Sequence, residues 1–202
     1  EDLPAIVAMT RRFEGEAAAE HLRHWFPLSR TVVIVGDGQV RGFALGLDLA
    51  TITPADAARD PGVAVAYRRL YDELRLTRQR PAIYYRFWMG PAHHAPDPLR
   101  ALCFYHIARV GLSTPDVLLV ASPFANPALW RSERDNTAFE VLGEFSLGGR
   151  DYVAQGAVLT DTDAETWFGR HFRRQLAAPP EAPVTTPAGP SLREALRNAL
   201  RS

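Results

Sequence analysis

The side chains able to do chemistry in this sequence are a few acids, six histidines, one cysteine and an aromatic run. His93 and His94 are adjacent, with Asp97 three residues on. Neighbouring histidines on a loop do not converge on one ion, and no third histidine stands at ligand spacing, so no metal site is expected. Cys103 and His106 form an i, i+3 pair on a predicted helix. That pair is open to a thiolate role, although a mid-helix cysteine more often packs as a small apolar residue. His21 and His24 share a helical face, where solvent exposure accounts for them. Glu14 and Glu16 bracket Gly15 before a predicted helix, where first-turn acids favour the helix dipole. Ser122 and Asn126 close a predicted strand, and Pro123 and Pro127 fix the backbone there as a turn. Tyr84, Tyr85, Phe87 and Trp88 are able to stack an adenine or acyl group, and equally to form the core of a central strand. All 23 basic residues are arginine. The lack of lysine excludes Schiff-base chemistry and lysine-dependent phosphate loops or kinase mechanisms.

Any such group needs a scaffold. The chain has 202 residues, 47% hydrophobic and 23% charged, enough for one globular domain with its own core. Basic and acidic residues balance at 23 each, so no net basic field draws nucleic acid or an anionic membrane. The longest apolar runs, Val32 to Val35 and Val117 to Ala121, are far short of the ~20 residues of a membrane helix. A lone cysteine forms no internal disulfide and points to a reducing, cytoplasmic setting. The start, Glu1-Asp2-Leu3-Pro4, is not a signal peptide. Without an initiator Met it reads as a domain cut from a longer protein.

Asp37-Gly38, between Thr31–Val35 and Val40–Leu49, predicts a hairpin, and Gly148-Gly149 before Tyr152 predicts a second. Residues 16–26 carry Ala17, Ala18, Leu22, Trp25 and Phe26 at helical spacing. Thr53-Pro54 opens one helix or two, running to Leu74. Ala82–Met89 is the expected central strand. Asp97-Pro98 opens a helix that Gly111 stops, Val117–Ala121 is a strand, 126–142 is mainly helical, and 167–176 is a short helix. The element order is strand, helix, hairpin, helical insert, strand, helix, strand, helix, hairpin. It predicts an α/β (α+β) domain over 1–176 with a mixed, largely antiparallel sheet flanked by helices. Five prolines between Pro179 and Pro190 mark a linker over the remaining 177–202, ending in a small helix with Leu192, Leu196 and Leu200 on one side.

That order resembles the GNAT N-acetyltransferase superfamily over residues 5–159. The most specific local piece is Asn136-Thr137-Ala138-Phe139-Glu140-Val141-Leu142-Gly143-Glu144-Phe145, which looks like the family's last helix and following strand. A looser similarity, through Arg86-Phe87-Trp88-Met89 and the Gly-Gly-Arg hairpin, is to GNAT-like segments of large multidomain bacterial ATPase regulators. The resemblance implies acyl transfer from acetyl-CoA or another acyl-CoA to an amine. Trp88, Met89 and Gly90 would lie where backbone amides polarise the thioester. Glu14 or Glu16 would be the base, and Ser122 and Asn126 would face the acceptor and CoA arms. His93 and His94 would lie in the pyrophosphate loop. Two departures stand out. The loop Gly90–Pro98 carries three prolines, which remove amide donors, and Asp97 puts a negative charge at the helix start. Phe139 stands where the family often has a proton-donating tyrosine. The alternative reading is a non-catalytic sensing or protein-interaction module that contacts other domains of its parent chain.

Overall fold

The structure is a computed structural model that describes residues 2–90, 98–125 and 139–177. Both expected hairpins form. Asp37 and Gly38 have φ of 54° and 70°, and Gly148 and Gly149 of 59° and 77°. Positive φ at both central residues gives the turn whose twist matches paired strands. The first turn joins β1 (Arg30–Gly36) to β2 (Gln39–Asp48), and the second joins β5 (Glu140–Leu147) to β6 (Arg150–Val158). Between them lie β3 (Ala82–Met89) and β4 (Leu119–Ala125). The six described strands form one sheet in the order β1-β2-β3-β4-β6-β5, antiparallel throughout except for β3 and β4. Every β3 residue is buried, as its aromatic composition predicts for a central strand.

Helices cover both faces. On one side α1 (Leu3–Glu14), α2 (Glu16–Trp25) and α4 (Pro61–Arg68) set Ile6, Leu22, Trp25 and Val63 against Leu45, Tyr84 and Phe87. On the other, α5 (Pro98–Ser113) and α6 (Ala164–Ala177) bring Cys103, Ile107 and Trp167 onto Ile83, Trp88 and Phe124. The short helix α3 (Pro54–Ala57) starts at Thr53, whose hydroxyl accepts from the Asp56 amide, as expected of an N-cap. The helical insert holds two helices, because Asp60-Pro61 interrupts it. Asp60 leaves the helical conformation to cap α4, and Pro61 begins the new helix.

Four expectations are corrected. No strand opens the domain: residues 3–14 are helical because Ile6, Val7, Thr10 and Glu14 recur at helical spacing and face inward. Gly111 does not stop α5. It lies inside the helix, where an added Cβ would come within 2.8 Å of Val120, so the glycine serves close helix–sheet approach. The strand expected over Val117–Ala121 instead spans Leu119–Ala125, so Ser122 and Pro123 lie within it rather than in a turn that closes it. Of the predicted helix over 126–142, residues 126–138 lie outside the described residues, and 140–142 belong to β5. There Val141 and Gly143 bracket a register shift, and Gly143 passes so close to α4 that a Cβ would meet Val65 at 3.2 Å. Of the expected tail over 177–202, Ala177 ends α6 and 178–202 lie outside the described residues.

Candidate functional site

The parallel pair β3 and β4 makes three rungs, Ala82–Leu119, Ile83–Val120 and Tyr84–Ala121, and then its ladder stops. Both strands continue, leaving a wedge between 85–89 and 122–125. Two sequence features account for the split. On β3, Leu45 of β2 pairs with Phe87 while Gly46 pairs with Tyr85, so Arg86 is the extra residue of a bulge that re-aims the strand. On β4, Pro123 has no amide to give a ladder. Such a residue is tolerated inside a sheet only where pairing is already broken.

One mouth of the wedge, on the α5 and α6 side, is lined by Trp88 and Phe124, one ring from each strand, edge to face with centroids 5.7 Å apart. Ser122 pairs across the ladder with Gln155 on β6, and both are buried. The Gln155 Oε1 has no hydrogen-bond partner among the described residues.

The opposite side holds a buried charge pair. Arg86 Nε donates to both Asp60 oxygens at 3.0 and 2.8 Å, and both side chains are fully buried. Asp60 also accepts from Trp25 Nε1 at 2.9 Å and from the Gly62 amide at 2.8 Å, so one carboxylate ties α2, α4 and β3 together. Burial alone would raise the Asp60 carboxyl. The adjoining Arg86 charge and its hydrogen bonds outweigh burial and hold it below the usual carboxylate range. Burial works to lower Arg86, and Asp60 overrides it, so the guanidinium stays charged. Tyr84, wholly buried beside them, has its phenol pushed far up by burial. Tyr152 is pushed up to about 12, by burial first and then by Glu14.

Glu14 ends α1, is 8% exposed, and lies within electrostatic reach of Arg86, Tyr84 and Tyr152. Gly15, at φ 92°, turns the chain between α1 and α2 just after it. Arg150 ties the β5–β6 turn to the same place by donating to the Phe13 carbonyl. Glu16, one residue beyond the turn, points elsewhere: its side chain is 53% exposed and paired with Arg11 and Arg23. Trp88, Met89 and Gly90 are buried along the free part of β3, where the Met89 carbonyl accepts from Cys103 Sγ at 3.7 Å. His93, His94 and Asn126 lie outside the described residues. Ser122 and residues 88–89 therefore lie on the split strands with Gly90 just beyond, Glu14 is buried within electrostatic reach of Arg86 and Tyr84 on β3, and Glu16 is exposed. Cys103 is used in packing beneath β3.

Asp60, Arg86, Tyr84 and Tyr152 do not stand out as a group in the sequence. A usable signal was present, since a lone arginine inside an apolar aromatic strand must find a buried partner. Its partner's identity depends on the 26-residue separation between Asp60 and Arg86, which no local pattern encodes. Among the described residues no three His, Cys, Asp or Glu side chains gather as a metal group, and no helix is long and apolar enough to cross a membrane. A separate cleft of about 480 Å³, lined by Arg80, Asp116, Thr160 and Asp163, sits at the other end of the parallel strands.

No protein-family model and no curated protein matches the chain. Solved structures do. FeeM, an N-acyl amino acid synthase from uncultured soil microbes, is 16% identical over 83% of this chain and 91% of its own, with a TM-score of 0.52. Arabidopsis thaliana NAA60, solved with a bisubstrate analogue, is 12% identical over 80% and 94%, with a TM-score of 0.50. An acetyltransferase of the GNAT family from Bacillus cereus matches 78% of this chain and 90% of its own at 10% identity and a TM-score of 0.44. By its element order, the topology of its six described strands and the first two of these likenesses, the chain has a GNAT-like fold.

Proposed function

We propose that this domain transfers an acyl group from an acyl-CoA to an amine, with the reaction taking place in the wedge between β3 and β4. The observation that carries the reading is the end of the ladder at Tyr84–Ala121. Beyond it the backbone of 86–90 is released from β4, and an extended amide-bearing chain such as the pantetheine arm can pair there as an added strand would. An amide near Trp88–Gly90 would then donate to the thioester carbonyl as charge develops on its oxygen.

In the step itself the amine nitrogen bonds to the thioester carbon and the C–S bond breaks. The amine's proton passes to Glu14, directly or through a water, and the CoA thiolate leaves to take a proton from solvent. Glu14 is favoured over Glu16 as base because it is buried within electrostatic reach of Tyr84 and Arg86 on β3, whereas Glu16 is occupied by two arginines at the surface. Phe139 has no proton to give the thiolate, and its ring stacks on Trp167 at 5.4 Å.

The second reading, a non-catalytic interaction or sensing module, is favoured by Trp88 and Phe124, whose rings meet across the split strands and fill one side of the wedge. Thermal unfolding with saturating acetyl-CoA and with free CoA separates the two. At about 100 times its Kd a ligand adds ~2.7 kcal/mol, a rise of about 5–10 °C for a chain of this size. That rise supports acyl transfer. An unchanged midpoint with both ligands removes it and leaves the module.

A further inference from the structure

We propose that the outer face of α5 is a self-association surface on which a second copy of this chain packs antiparallel, whatever reaction the wedge supports. The helix seats Cys103 and Ile107 on the sheet, and Gly111 lets it approach Val120 closely. A helix lying on a sheet is ordinarily polar on its other side. The other side of α5 is not: Leu102 is 40% exposed, Tyr105 60% and Leu112 49%. These three are half of the large apolar side chains that the described residues expose, and a concentration of that kind marks an interaction surface. Arg109 is exposed on the same stripe, and the helix carries no acid for it to pair with.

The occupant follows from the spacing. Leu102, Tyr105, Arg109 and Leu112 are separated by three, four and three residues, the seam along which two helices pair at a shallow crossing angle. That order of spacings reads the same in either direction about residue 107. When a second α5 is laid end for end about that point, Leu102 faces the partner's Leu112 and Tyr105 faces the partner's Arg109. Two-fold symmetry repeats both contacts, so all four positions are matched. The guanidinium then lies on the negative face of a tyrosine ring, and a leucine pair closes each end. A parallel copy would instead set two arginines against each other with no acid on either helix. The stripe runs about 15 Å along the helix axis. That is less than a standard interface supplies, so the pair should be weak, with a Kd on the order of 10–100 µM.

Sedimentation equilibrium of the full chain across that range tests the proposal, and a mass rising with concentration toward twice that of one chain is expected. Leu102→Glu or Leu112→Glu should raise the Kd about 10²-fold, since each change is made twice in the pair. Both sites are exposed in the single chain, so the unfolding midpoint in dilute solution should stay unchanged. Arg109→Glu should likewise weaken the pair, and adding Tyr105→Arg to it should restore association by exchanging the two partners. Oxidative cross-linking reads the register. Chains bearing Leu102→Cys should couple to chains bearing Leu112→Cys, while neither couples to itself, because like positions lie about 15 Å apart along the axis. Cys103 is buried and stays out of that reaction. Coupling of either variant only to itself overturns the antiparallel pair. A single-chain mass at every concentration overturns the proposal altogether, and a midpoint lowered by removing 178–202 would then give the stripe to that segment.

Discussion

At the scale of single residues, one carboxylate decides more than any other group. Asp60 receives Arg86, Trp25 and the Gly62 amide, so removing its charge partner leaves a buried, uncompensated anion. Arg86→Met should therefore cost about 3–5 kcal/mol in urea unfolding, while Trp25→Phe, which removes one donor, should cost about 1–2 kcal/mol. The pH dependence has a defined sign. A carboxyl held below its ordinary value stabilises the fold fully above about pH 4, its unfolded value. That contribution is lost as pH falls below 4 toward the lower folded value. Asp60→Asn should flatten this acid limb. The acids at the α1–α2 turn separate by environment. If Glu14 is the base, Glu14→Gln should lower kcat by about 10²-fold or more. Glu16→Gln, breaking only exposed ion pairs, should leave kcat unchanged and alter stability by less than about 1 kcal/mol. Equal losses in the two variants would remove Glu14 from the role.

Elements are held by close approach as much as by hydrophobic area. Gly156 on β6 faces Ala121 on β4, and a Cβ there would lie 2.3 Å from the Val120 carbonyl oxygen and the Ala121 Cβ. The obstruction includes backbone, so neither strand can yield without breaking the ladder beside the wedge. Gly156→Ala should cost about 3 kcal/mol, read as a lowered denaturant midpoint. Gly111→Ala should cost less, because its Cβ meets only the methyls of Val120 and a ring atom of Phe168. Both hairpins and the Thr53 cap were legible in the sequence because Asp37-Gly38, Gly148-Gly149 and Thr53-Pro54 act through local dihedral and hydrogen-bond preferences. The run over 3–14 was not legible as a helix, and Gly111 was misread as a stop. In both, packing against the sheet overrode the local signal.

At the scale of the whole molecule, the described residues of both cores lie within 3–168. We therefore expect a chain ending at Ala177 to keep the unfolding midpoint of the full chain; a fall of several degrees would show that 178–202 packs on the domain. By itself the sequence determined the α/β class, both hairpins and the buried central strand. Each of these follows from composition or from residues within a few positions of one another. Only the tertiary structure decided that β3 and β4 part after Ala121, that Glu14 turns inward while Glu16 faces solvent, and that Arg86 finds Asp60. Those outcomes depend on strand register and on which helix lands on which face, and such pairings are set by packing between segments tens of residues apart.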